Sequence, residues 1–217
     1  MKSIFSLAVV IALFISCAQS QNKGLYIPLG SKTPWPNEQV AYFSEGCFWH
    51  SELVFQSLVG VRDAVSGFSG GTDPNPTYEK VCTGSTGHAE TVAVYYDPAK
   101  ISYATLVDAF FASMDPTTLN RQGNDDGTQY RSIAFYRNED EKKIILAAIQ
   151  KLTAEKKYRD KIVTEVIPFT KFYPAEAYHQ EYIHYHPDEG YVANVSIPEF
   201  LEFKKNFKEA AFKQPGQ

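Results

Sequence analysis

"VAYFSEGCFWHSELVFQSLVGVRDAVSGFSGG", residues 40–71, changes its hydrophobic period twice, and those changes decide the fold. Val40–Glu45 reads as a strand. From Cys47 to Leu58 the spacing is helical, with Phe48, Leu53, Phe55, Leu58 and Val59 near one face, and Gly60 stops the run. Residues 61–71 alternate again and end in Gly70-Gly71, a second strand entering a loop. A lone cysteine thus stands between a glycine and two aromatics where a strand gives way to a helix. Cys47 is either a small buried apolar residue or a nucleophile at a helix start. In the second case the backbone N–H groups favour the thiolate and lower its pKa, and Phe48 and Trp49 form an apolar wall beside it.

Outward from this stretch, Thr91–Asp97 reads as a strand and residues 102–114 as a helix capped by Ser102. Residues 130–137 form a strand, and residues 138–158 a strongly amphipathic helix. The order from Val40 to Arg137 is β-α-β-β-α-β, the split-βαβ, ferredoxin-like pattern. An added strand at 162–169 and helices at 174–186 and 197–212 complete one α+β domain. The polar end of the last helix reads as solvated or frayed.

The 217 residues are 44% hydrophobic, enough for one substantial core. A net charge of −4 with no basic cluster argues against a nucleic-acid partner. At the N-terminus, Lys2 precedes "IFSLAVVIALFI", an apolar run shorter than the ~20 residues a membrane span needs. It reads as the core of an export signal. Lipidation at Cys17, cleavage after Ser20 and retention as an anchor all fit. In each case the domain lies outside the cytoplasm, and a lipid anchor in a bacterial cell envelope or periplasm is the expectation. Residues 1–17 are then a lipoprotein-type signal segment, 18–38 a flexible, proline-punctuated tether, 39–186 the catalytic domain and 187–217 a C-terminal extension.

Three cysteines are present. With Cys17 lipidated or removed, Cys47 and Cys82 are either one disulfide or a reactive thiol and a spectator. Two further loops hold reactive groups. "YEKVCTGSTGHAE" carries Tyr78, Cys82, His88 and Glu90. Glu90 precedes a very apolar strand, where it is a solvated strand end or a desolvated acid with a raised pKa. "RQGNDDGTQYRS" carries Asp125 and Tyr130, and a tyrosine opening a strand serves as packing or as a directed hydroxyl. His179, His184 and His186 are spaced wrongly for one helix face, so no metal site is expected.

"GCFW" at 46–49, "NPTYEKVCTGSTGHAE" at 75–90, "RQGNDDGTQYRS" at 121–132 and "YHQEY" at 178–182 together resemble the A-type peptide methionine sulfoxide reductases, in the family's order and spacing. The resemblance implies thiol-dependent reduction of methionine S-sulfoxide, free or protein-bound, through a cysteine sulfenic acid. It implies Cys47 as nucleophile, Glu90 as proton donor, Tyr78 and Tyr130 as hydroxyl donors to the sulfoxide oxygen, Asp125 as support, and Phe48 and Trp49 as the methyl pocket. No bound cofactor is implied, and a monomer is expected. Two departures stand out. His50 replaces a small residue and reads as a solvated histidine. No cysteine follows "YHQEY", so an external thiol or thioredoxin-like partner must reduce Cys47 directly, with Cys82 as an internal resolver the alternative. Two other readings remain: a Cys–His hydrolase using His88 or His179, and a binding module closed by a Cys47–Cys82 disulfide.

Overall fold

The computed structural model describes residues 25–215, and Cys17 lies outside the described residues. The elements are β1 (Gln39–Glu45), α1 (Phe48–Gln56), β2 (Val61–Ser69), α2 (Tyr78–Cys82), β3 (Ala89–Tyr96), α3 (Tyr103–Ser113), β4 (Arg121–Gln122), β5 (Asp125–Asp126), β6 (Ser132–Tyr136), α4 (Glu139–Ala154), β7 (Glu165–Pro168), β8 (Tyr173–Pro174), α5 (Tyr182–Tyr185) and α6 (Ile197–Asn206). The main sheet runs β7-β6-β1-β3-β2-β8. Its four inner strands are antiparallel in the order β6-β1-β3-β2, the ferredoxin-like arrangement. β7 joins β6 in parallel, and β8 pairs with β2.

β1 is central, with Phe43 opposite Val92 in β3 and Ala134 in β6. Its alternation buries Phe43 against Phe55 and Phe110 at ring separations of 5.2 and 5.1 Å. α1 is not the one-sided helix its spacing suggests: every residue but Trp49 is buried, and Val59 beyond its end is exposed. α1 sits between the sheet and α3, α5 and α6, so it has no solvent face. On the opposite face of the sheet Tyr42 stacks on Phe169 at 3.8 Å. Ser102 caps α3, and Asn138 caps α4 by accepting from Asp140 N and Glu141 N.

Four parts differ from the sequence reading. The loop after β2 contains a short helix, α2, capped by Thr77. The helix expected at 174–186 is broken: one turn spans Ala177–His179, and α5 begins only after Glu181, whose φ is 55°. Tertiary bonds outweigh propensity there. The Gln180 amide accepts from Ser66 N at 3.0 Å and donates to Ser66 O at 2.9 Å, standing in for a strand neighbour at the edge of β2. The segment after α6 does not fray as far as Lys213, since Val59 N donates to Ala211 O and Lys213 N to Ser57 O. Residues 25–38, expected as part of a tether, lie along the domain. Arg62 grips Glu38 at 2.6 and 3.0 Å and bonds Ser31 O, while His184 Nδ1 meets Ile27 O at 2.9 Å. Among the described residues no helix is long and apolar enough to cross a membrane.

Glu52 locks α1 to its neighbours. It is buried, accepts from Glu181 N at 2.6 Å and bonds the Ser66 hydroxyl. Burial pushes its pKa up to about 8. The folded state then keeps a proton that the unfolded chain releases above about pH 4.5, so this contribution to stability is full in acid and fades as pH rises toward 8. Glu52→Gln should therefore gain a few degrees of melting temperature relative to wild type between about pH 5.5 and about pH 8.5. A difference that stays constant with pH would contradict this.

Candidate active site

Cys47 is the N-cap residue of α1 and partly exposed. Gly46 before it has a φ of +100°, and a β-carbon there would lie 2.6 Å from Gln122 Cβ, so the turn that presents the thiol requires glycine. The N-cap has no side-chain capping bond. Instead Glu90, from β3, accepts from Phe48 N at 2.9 Å and supplies the acceptor the helix start lacks.

The expected side chains from three separate loops meet around one cavity of about 160 Å3, lined by Cys47, Phe48, Trp49, Tyr78, Glu90, Asp125, Tyr130 and Tyr191. It has room for a few waters or for a small thioether end group. Phe48 is buried against Phe68 and Tyr78. Trp49 stacks on Tyr182 at 3.7 Å, and its indole Nε1 donates to His179 Nδ1 at 3.2 Å. α2 places Tyr78, and the single helical turn Thr128–Tyr130 places Tyr130.

The electrostatics correct one expectation. Glu90 is 2% exposed, and burial pushes its pKa up to about 8, with Asp125 adding to the rise. Burial also pushes the Cys47 thiol well above its usual value, and Glu90 pushes it further. The N–H groups of Trp49 and His50 act downward, as the helix start predicts, but they lose to desolvation. The resting site therefore holds a thiol, not a thiolate, beside a carboxylic acid. Tyr78 and Tyr130 are raised by burial and nearby negative groups, so both keep their hydroxyl protons.

Sequence reasoning missed Tyr191. It lies past residue 186, in no motif, yet its hydroxyl donates to Asp125 Oδ2 at 2.5 Å and lines the cavity. His50 is buried, 6% exposed, where a solvated ring was expected; the packing of α6 and the turn before it over α1 removes it from water. Cys82 is exposed and does not line the cavity, its thiol lying beside the Tyr78 side chain. Cys47 and Cys82 are both free thiols, as a reactive-thiol enzyme needs and a disulfide-closed module does not. His88 is engaged by Gly71 N and Asp73 O, and His179 by Trp49, so neither is set as a base for a hydrolase. Among the described residues no group of three or more His, Cys, Asp and Glu is arranged to hold a metal ion.

A thiol, a carboxyl of raised pKa and three phenols around one aromatic-walled cavity are the groups a thiol-based oxidoreductase acting on sulfur needs. A family model described as peptide methionine sulfoxide reductase matches residues 39–211. A peptide methionine sulfoxide reductase MsrA of Polynucleobacter asymbioticus is 46% identical over 173 residues, 80% of this chain and 91% of that protein. One from Rhodopirellula baltica is 48% identical over 172 residues, covering 79% of this chain and 88% of that protein. Among solved structures, Mxr1 from Saccharomyces cerevisiae in reduced form superposes with a TM-score of 0.67 at 32% identity, covering 75% of this chain and 94% of that one. Methionine sulfoxide reductase A of Corynebacterium diphtheriae gives 0.63 at 34%, covering 74% and 89%. The chain belongs to the peptide methionine sulfoxide reductase family.

Removing the Tyr191 hydroxyl leaves Asp125 without its donor. Tyr191→Phe should lower kcat/KM for a methionine sulfoxide peptide about tenfold, the range of one hydrogen bond to a charged group. Steady-state turnover with dithiothreitol measures it, and a wild-type value would remove Tyr191 from the site.

Proposed function

We propose that the protein reduces methionine S-sulfoxide through a sulfenic acid on Cys47. The observation that carries this is the cavity in which a buried, protonated Glu90 and the Cys47 thiol stand beside the Tyr78 and Tyr130 hydroxyls. Phe48 and Trp49 hold the substrate's methyl group. The two phenols donate to the sulfoxide oxygen, and Glu90 gives it a proton, because oxygen leaves sulfur poorly without one. The Cys47 sulfur attacks the substrate sulfur and its proton replaces the one Glu90 gave. Oxygen passes to Cys47 as S–OH, the thioether is released, and the two electrons come from the cysteine sulfur. Substrate in place of water beside Glu90 is what makes thiol deprotonation feasible: once the acid's proton is drawn toward the sulfoxide, thiol and carboxyl can exchange a proton without creating a lone buried charge.

Recovery then falls to an external dithiol, as a thioredoxin-like protein supplies. One thiol attacks Cys47–SOH and releases water, leaving a mixed disulfide. The second thiol breaks that bond and restores Cys47–SH. The exposure of Cys82 outside the cavity supports this direct route over an internal resolver. We place the enzyme in a bacterial cell envelope, anchored by lipid at Cys17, on the strength of the apolar run that precedes that residue, and read it as a monomer.

Turnover of separate S and R epimers with dithiothreitol tests the chemistry. Cys47→Ser should abolish it and Cys82→Ser should retain it; activity surviving in Cys47→Ser ends the proposal. Because the acid must be protonated, kcat/KM should fall as pH rises through about 8. Glu90→Gln should lose about 10²-fold or more, as removal of a general acid does. For the anchor, Cys17→Ala should abolish incorporation of labelled palmitate in cells, and unchanged labelling would refute lipidation there.

A further inference from the structure

A second cavity, of about 370 Å3, shares Cys47, Asp125 and Tyr191 with the first. Its remaining carboxyl groups are Glu45, Asp115, Glu199 and Glu202, and no lysine or arginine lines it. Among the described residues none of these five carboxyls joins an ion pair with a lysine or arginine. Glu45 is 1% exposed; its Oε2 accepts from Ser113 Oγ at 3.0 Å, but its Oε1 is buried without a partner. Buried His50, on the same wall, lies against the backbone of Ser196 and Ser113, and burial lowers its pKa, so it brings no positive charge to the cavity. Glu199 is raised by burial and then by repulsion from Asp125 and Glu202. Glu199, Asp125 and Glu202 repel one another beside a buried Glu45 oxygen without a bonded donor, and that is costly unless a positively charged donor occupies the space.

The arrangement does not suit a metal ion among the described residues. It suits an ammonium or guanidinium on a long stem, because Ala112, Met114, Val195 and Phe203 give the stem apolar walls. The shared wall sets the reach. Consecutive residues of a peptide lie about 3.8 Å apart, so a side chain next to the one in the first cavity is in range of the second.

We infer that the second cavity is a specificity subsite for a lysine or arginine side chain flanking the methionine sulfoxide of a protein substrate, an inference that rests on the reduction proposed above. Asp125 and Tyr191, common to both cavities, place the junction between the two side chains.

The test uses the purified full chain and short peptides, acetylated and amidated, each with one methionine S-sulfoxide flanked by lysine, arginine, alanine or glutamate. At low ionic strength kcat/KM should be about fivefold higher for the cationic peptides than for the alanine peptide, the range of one partly screened ion pair, and lower still for glutamate. The preference should shrink toward one in about 0.5 M salt. In the double variant Glu199→Gln, Glu202→Gln the lysine-to-alanine ratio should fall toward one, and because it is a ratio, any general loss of activity divides out. If the variant fails to fold, the wild-type ratio and its salt dependence still decide. A wild-type ratio near one, with the alanine peptide turned over, overturns the inference and leaves the reduction standing. Free methionine sulfoxide outpacing its N-acetyl form, with no gain for the lysine peptide, assigns the cavity to the free amino acid and also overturns it. Failure on every peptide, alanine included, overturns the reduction beneath it.

Discussion

The bond between the Glu90 carboxyl and the Phe48 N–H, 2.9 Å long, joins the two halves of the site. It caps the start of α1, which has no side-chain cap of its own, and so fixes the helix that carries Cys47, Phe48 and Trp49. The same contact holds the acid at the cavity wall and out of water, and burial is what raises its pKa. A stability device and a chemical device are thus one interaction. Among the described residues no lysine or arginine lines the cavity to hold the acid or the thiol ionised. The resting pair stays neutral because desolvation at the cavity wall outweighs the contacts that favour a charge.

The sheet makes this meeting possible. Cys47 follows β1 and Glu90 opens β3, 43 positions later by the numbering, yet β1 and β3 are neighbours at the centre of the sheet. β6, on the other side of β1, starts just after Tyr130, and β2 leads into the loop that holds Tyr78. The β6-β1-β3-β2 order therefore brings the three reactive loops toward one another without any long insertion.

Much of this was legible because periodicity records burial. The alternation in Val40–Glu45 and Thr91–Asp97, the cap Ser102 and the amphipathic run at 138–158 mark elements that the structure contains. Three of the four motifs held every residue that now shares the cavity except Tyr191. What stayed hidden was whatever depends on contacts distant in sequence. Gln180 and Glu181 look helical until Ser66 and Glu52 offer their bonds, and the break before α5 follows from those partners. Tyr191 carries no local mark, since its role comes from the fold of the chain end back over Asp125. His50 looks solvated because nothing nearby in sequence says that α6 will cover α1. The sign of the Cys47 shift was hidden too: the helix start is local and readable, whereas desolvation depends on three loops closing around it.

The Trp49–His179 contact has a consequence for the site's tolerance of acid. His179 Nδ1 accepts the indole proton, so the ring's own hydrogen must sit on Nε2, and burial lowers the pKa of this ring. To become imidazolium, the ring must put a hydrogen on the atom that now receives one from Trp49. Acidification would therefore loosen the aromatic wall before it harmed any group that handles protons, and the recess for the methyl group would lose its shape while the chemistry beside it remained intact.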